Sequence, residues 1–216
     1  MNLRTQQNHN HGKESTDLHR VLSPVQTWFE RQGWTPLPFQ ARTWEAHLRG
    51  LSGLIQVPTG SGKTYAAVMG PIAQMLASPN EQEGIRLLYI TPLRALSRDL
   101  AVALKQPIES MGWPLRVGIR NGDTPSAERS RQIRKPPEIL ITTPESLCVL
   151  LAGRHCETLF RTLDTVILDE WHELIGSKRG IQAELALSWL RQQRPQLQTW
   201  AISATIAVSY THLTLP

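Results

Sequence analysis

Residues 53–64 read GLIQVPTGSGKT, and a stretch of this kind leaves a chain few choices of fold. The apolar run Leu54-Ile55-Gln56-Val57 suits a strand, Pro58-Thr59-Gly60-Ser61-Gly62 a tight turn, and Tyr65 to Leu76 a helix. Gly60 and Gly62 lack Cβ, so the turn can take positive φ and aim successive backbone N–H groups at one anion. The start of the helix adds partial positive charge at the same place. Lys63 then reaches toward β- and γ-phosphates, and the Thr64 hydroxyl toward a magnesium ion. The strict pattern GxxxxGK[ST] asks for Gly at position 57, where this chain has Val57.

The remaining chain alternates strand and helix. Apolar runs at 85–91 (IRLLYIT), 115–119, 138–142 (EILIT), 165–168 (TVIL) and 199–206 are separated by helical patterns at 93–111, 125–134, 145–151 and 181–193. Near-continuous apolar strands are buried on both faces, so the pattern predicts an α/β fold: one mostly parallel sheet with helices on both sides. Ahead of the phosphate loop, 17–52 reads as two helices. Leu18–Gln32 is the first, started or interrupted at Pro24, and residues 41–49 the second. Between them lies the stiff loop GWTPLPFQ. Residues 1–16 are polar and read as a disordered tail. Residues 207–216 (AVSYTHLTLP) carry no charge and read as an atypical β-prone stub, foreign in character to the rest.

The chain is 40% hydrophobic and 19% charged, an ordinary globular balance, and its net charge of +5 is compatible with a polyanion partner. No apolar run approaches the ~20 residues of a membrane-spanning helix. No signal peptide is visible, and Cys148 and Cys156 are the only cysteines, which fits a reducing compartment such as the bacterial cytoplasm. Cys148, His155 and Cys156 lack the further cluster that a tetrahedral metal site needs.

Asp169-Glu170-Trp171-His172 closes the strand TVIL. In open α/β sheets ligands lie beyond the carboxyl ends of the strands, so this quartet and the phosphate loop line one edge. Asp169 is placed to hold Mg²⁺ through its water shell, and Glu170 to orient and deprotonate an attacking water. Ser203-Ala204-Thr205 closes the last strand, where its hydroxyls can reach these carboxylates or His172. Among the tryptophans, Trp189 and Trp200 fit the core, and Trp34, near Gln40, is the one placed to touch a nucleotide.

Taken together, GSGKT, TPLRAL (91–96), ITTPESL (141–147), DEWH and SAT resemble the ordered motifs of superfamily 2 DExH-box helicases. GWTPLPFQ and DEWHELIGSKRG look closest to the large-helicase-related (Lhr) group, and within it to the helicases associated with bacterial DNA ligases. The resemblance spans roughly residues 24–206 and implies a RecA-like ATP-binding domain over 53–206. It also implies that Gln40, ahead of the loop, reads the adenine edge, and that Thr59, Gly60, Ser61, Gly62, Lys63 and Thr64 hold ATP with Mg²⁺. Lys63, Asp169, Glu170 and His172 are then the catalytic group, with Ser203 and Thr205 coupling them to motion. Arg94, Thr142, Thr143 and Gly122 match motifs that hold a single nucleic-acid strand, with DNA favoured over RNA. The family uses a second RecA-like domain, and ligase or nuclease partners in DNA repair follow from the subgroup. Two alternatives stay open: a nucleotide-dependent nucleic-acid-binding module without motor activity, and a DExH motor acting on another polymer. Lys178-Arg179-Gly180 reads as a basic turn, solvated or in contact with nucleic acid or another domain.

Overall fold

The computed structural model describes residues 4–79 and 82–204, the side chains of residues 4–16 excepted. Six strands are present among them: β1 Gly53–Gln56, β2 Leu87–Ile90, β3 Val117–Arg120, β4 Ile139–Thr142, β5 Thr165–Leu168 and β6 Gln198–Ser203. They form one sheet in the order β1-β6-β5-β2-β4-β3, with every pairing parallel. β2, β4 and β5 are buried at every position, which is why their sequences run apolar without alternation.

Each face of the sheet has its own core. Leu87 and Tyr89 of β2 join one that takes in residues of α1 (Arg4–Arg31), α2 (Pro38–Leu48), α3 (Lys63–Ala77) and α4 (Arg94–Met111). Leu88 and Ile90 join the other, with α6 (Pro144–Leu151), α7 (Cys156–Phe160) and α9 (Lys178–Gln193). α5 (Ser126–Arg134) lies by the β3 edge, and α8 (Trp171–Leu174) is a single turn after β5. On the first face, Trp28, Phe29, Trp34 and Tyr65 meet edge to face, Trp28 and Tyr65 at 5.2 Å between ring centroids, and fasten α1 to α3. Such an aromatic pair adds about 0.5–1.5 kcal/mol beyond the area it buries.

Several boundaries differ from the sequence expectation. α1 begins at Arg4, so residues 4–16, expected as a disordered tail, extend a helix instead. Leu22, Val25, Trp28 and Phe29 are buried and anchor its later turns, and once a helix is nucleated each added residue extends it at little cost. The same anchoring carries the helix through Pro24, which forfeits one backbone hydrogen bond. β2 starts at Leu87 rather than 85; the buried Arg86 just before it pairs with Asp164 at 3.1 Å and donates to the Ser78 carbonyl. Lys178-Arg179-Gly180, expected as a turn, is the first turn of α9: the Ser177 hydroxyl caps it by accepting from the Gly180 N–H at 3.1 Å. A Cβ at Gly180 would collide with the Leu174 carbonyl, so glycine is needed there for close approach. The stub at 207–216 and Thr205 lie outside the described residues.

Candidate active site

β1 feeds the loop 57–62, and α3 starts at Lys63. Gly60 and Gly62 sit at φ 80° and 82°, the left-handed conformation that the glycine pattern predicts. The Ser61 hydroxyl donates to the Pro58 carbonyl at 2.6 Å and fastens the turn. No side chain caps the start of α3, and no acidic residue lies in its first turn, so its N-terminal pole is left for an anion. Lys63 is only 8% exposed, and among the described residues its Nζ finds no hydrogen-bond partner. A buried ammonium is costly without an anion beside it, so the donor set fits a polyphosphate.

Gln40 is nearly as buried, at 3% exposure. Its Oε1 accepts from the Leu37 N–H at 2.8 Å and its Nε2 donates to the Gly62 carbonyl at 3.1 Å. These two bonds tie the GWTPLPFQ loop to the phosphate loop and use one lone pair and one N–H of the amide expected at the adenine edge. Trp44 Nε1 adds a second tie, donating to the Tyr65 carbonyl at 2.9 Å. Trp34 is 46% exposed and rests edge-on against Trp28.

Two strands away, the Asp169 N–H donates to the Ile90 carbonyl at 2.8 Å and its Oδ1 accepts from the Glu170 N–H at 2.9 Å. Burial pushes the Asp169 carboxyl above its usual range, against the pull of nearby Tyr89 and the Lys63 charge. Glu170 is the one non-glycine residue at positive φ among the described residues, at φ 46° and ψ 46°. A non-glycine residue held there costs about 1–3 kcal/mol, a strain typical of functional positions. The kink turns α8 back over the sheet edge. It brings His172 Nδ1 to 3.5 Å from Glu170 Oε2 and 3.3 Å from the Ser203 hydroxyl. β5, β6 and β1 are neighbours, with Gln56 paired to Ser203, so the phosphate loop, the carboxylates and Ser203 share one edge.

The expected strand-contact residues lie at the carboxyl ends of β2, β4 and β3. Arg94 bonds Asp123 at 3.2 Å, the two being 58% and 56% exposed, and its guanidinium covers Gly122 where a Cβ would intrude at 2.7 Å. Thr142 and Thr143 depart from expectation. Both side chains are buried; Thr142 Oγ1 donates to the Arg120 carbonyl at 2.7 Å, and Thr143 Oγ1 caps α6 by accepting from the Ser146 N–H. They build the strand end rather than face solvent. Arg129 went unnoticed in the sequence: it donates to the carbonyls of Asn121, Gly122 and Thr124 and shapes the loop that meets Arg94. A lone arginine in a charged helix carries no sequence signal for such a role. Arg179 pairs with Glu145 at 2.6 Å, tying α9 to α6.

An all-parallel sheet with a glycine nest, a buried lysine without a partner among the described residues and a half-buried acidic pair along one edge defines a RecA-like nucleoside triphosphate-binding domain. The comparisons with known proteins narrow this class. The family model described as DEAD/DEAH box helicase matches residues 37–213, and the chain belongs to that family. It is 40% identical over 213 residues to the Lhr helicase/uracil glycosylase of Escherichia coli (strain K12), an alignment covering 89% of this chain and 14% of that protein. To the ATP-dependent helicase Lhr-Core of Methanothermobacter thermautotrophicus it is 36% identical over 207 residues, covering 89% and 24%. The solved structure of Mycobacterium smegmatis helicase Lhr bound to ssDNA and AMP-PNP superposes with a TM-score of 0.75 at 37% identity, covering 85% of this chain and 24% of that one. The chain thus spans about a seventh to a quarter of the length of these relatives and corresponds to their first helicase domain.

Proposed function

We propose that this chain is the ATP- and nucleic-acid-binding N-terminal motor domain of an ATP-dependent DNA helicase, working against a second RecA-like domain in the parent protein. The observation that carries the reading is the Lys63 ammonium, buried beside the glycine nest without a hydrogen-bond partner among the described residues. Thr59, Gly60, Ser61 and Gly62 present the loop backbone to the phosphates, and Lys63 meets the β- and γ-groups. The Thr64 hydroxyl and, through water, the Asp169 carboxylate offer the hard oxygen ligands that Mg²⁺ takes. When bound, the ion neutralises charge developing on the transferred phosphoryl oxygens. Glu170 orients a water and accepts its proton. His172, within reach of both Glu170 and Ser203, passes the state of that carboxylate to the end of β6 and on to Thr205. Arg94 and the Gly122 loop receive the backbone of a single strand, and the ssDNA named in the Mycobacterium structure favours DNA. The same reading places the parent protein in the bacterial cytoplasm, in DNA repair, beside a ligase or nuclease.

The test is ATP–Mg²⁺ binding by titration calorimetry with Lys63→Ala. Loss of a buried charge-assisted contact should weaken binding about 100-fold. Affinity within twofold of the unaltered chain would remove the phosphates from Lys63.

A further inference from the structure

Tyr89 interrupts an otherwise aliphatic strand that is buried at every position. It lies between β4 and β5, in register with Ile141 and Ile167, and is 0% exposed. Among the described residues its hydroxyl closes no hydrogen bond of ordinary geometry. A phenylalanine would fill this place without leaving a buried polar atom unsatisfied, so packing does not account for the oxygen. Tyr89 is paired with Ile167, so its side chain shares a sheet face with Asp169, two residues further on, and the same face packs against α3, whose first turn carries Thr64; both side chains lie near enough to bear on the hydroxyl. These are the two side chains read above as the Mg²⁺ ligands, and the inference rests on that reading.

We infer that Tyr89 is a positioning residue for the metal site, its hydroxyl lying beneath Asp169 and Thr64 and setting the orientation of both. A small rotation of these side chains closes the contacts, and the hydrogen-bonding chemistry then leaves one arrangement. An ionised carboxylate only accepts, so the phenol O–H donates to Asp169. The phenol oxygen then accepts from the Thr64 hydroxyl, which turns the Thr64 lone pairs away from Tyr89 and toward the cation. Asp169 Oδ1 is already held by the Glu170 N–H, so the bond from Tyr89 fixes the remaining rotation of the carboxyl group. Partners of this kind behind a metal ligand are typically worth about 10- to 100-fold in metal affinity.

The experiment is Tyr89→Phe in the full chain, read by binding of a fluorescent ATP analogue titrated with MgCl₂. Nucleotide affinity in EDTA should stay within about twofold, because Lys63 and the glycine nest are untouched, while the Mg²⁺ concentration at half-effect should rise about tenfold. The melting temperature without ligand should stay close to that of the unaltered chain, since the ring still fills its place between β4 and β5. A Mg²⁺ half-effect within twofold of the unaltered chain overturns the inference, as does an equal loss of affinity with and without Mg²⁺. Asp169→Ala separates the two levels. If it leaves the Mg²⁺ dependence intact, the metal reading itself fails; if it abolishes that dependence while Tyr89→Phe changes nothing, only the role of Tyr89 fails.

Discussion

Along the β1–β6–β5 half of the sheet's carboxyl edge, two polar groups stand without a partner among the described residues. Lys63 Nζ is one, and the uncapped start of α3 is another. Along the β2–β4–β3 half the corresponding groups are closed on one another: Arg94 on Asp123, Thr142 on the Arg120 carbonyl, Thr143 on Ser146, and Arg129 on three loop carbonyls. The first half already has the form of its ligand. The second must exchange internal bonds for phosphate contacts before a strand can sit there, so part of its intrinsic affinity goes into that exchange. Nucleotide binding is therefore expected of the domain alone, and firm strand binding only once another surface holds the opened state.

Four measurements test this contrast, in falling order of expected effect. The isolated chain should turn over ATP at least about 10³-fold more slowly than a two-domain parent, because an arginine finger from outside the site contributes 10³ to 10⁵ in related phosphoryl transfers. Steady-state phosphate release should also show no stimulation by single-stranded DNA. Strong stimulation that Lys63→Ala removes would mean that the strand half is as ready as the phosphate half. In the parent protein, Glu170→Gln should lower hydrolysis about 10²- to 10⁴-fold, because an amide is a poor base, with ATP affinity changed no more than about threefold. A matching loss of affinity would make Glu170 part of the binding nest instead.

The third concerns the scaffold of the phosphate half. His47 Nδ1 accepts from Trp200 Nε1 at 3.3 Å, so Nε2 carries the proton and donates to Gln74 Oε1 at 2.6 Å. Burial pushes its pKa down from 6.5 to about 4, while the Gln74 bond pulls the other way. The folded state thus holds the neutral ring where an unfolded chain would protonate it. This stability is complete above pH 6.5 and is lost as pH falls from 6.5 toward 4, by at most about 3 kcal/mol. Denaturant midpoints of the unaltered chain and His47→Gln across that window should converge at low pH; parallel curves would clear His47. Last, Asp123→Ala releases Arg94 from an exposed pair and should tighten single-stranded DNA binding about two- to threefold, with a steeper salt dependence. An unchanged or weaker affinity would show that the pair does not hold the strand half shut.

The residues of the phosphate half were legible because local chemistry announces them. Two glycines before Lys-Thr, and Asp-Glu after an apolar strand, have few other uses. Their surroundings were not. Gln40 reads as a reader of base edges, yet its bonds to Leu37 and Gly62 depend on a loop and a turn 22 positions apart meeting in space. Thr142 and Thr143 look like available hydroxyls until the parallel pairing of β3 with β4 brings the Arg120 carbonyl over one of them. The helical start of α9 was hidden by Lys178-Arg179-Gly180, which imitates a turn when the collision that demands the glycine is out of view. Tyr89 passed for one more apolar strand residue; its only trace was a hydroxyl where the strand needs none.

The sheet order also bears on how the domain comes into being. Among the described strands β1 has a single neighbour, β6, and the hydrogen bond from the Thr199 N–H to the Ser52 hydroxyl joins positions 147 residues apart. Contacts so distant form late, after the entropy of closing the intervening chain has been met. During synthesis the phosphate loop leaves the ribosome early and then waits, its strand unpaired, until β6 has followed. The nucleotide site is therefore assembled last from the piece made first, and a nascent chain should gain nucleotide-dependent protection from protease only after residue 203 has emerged.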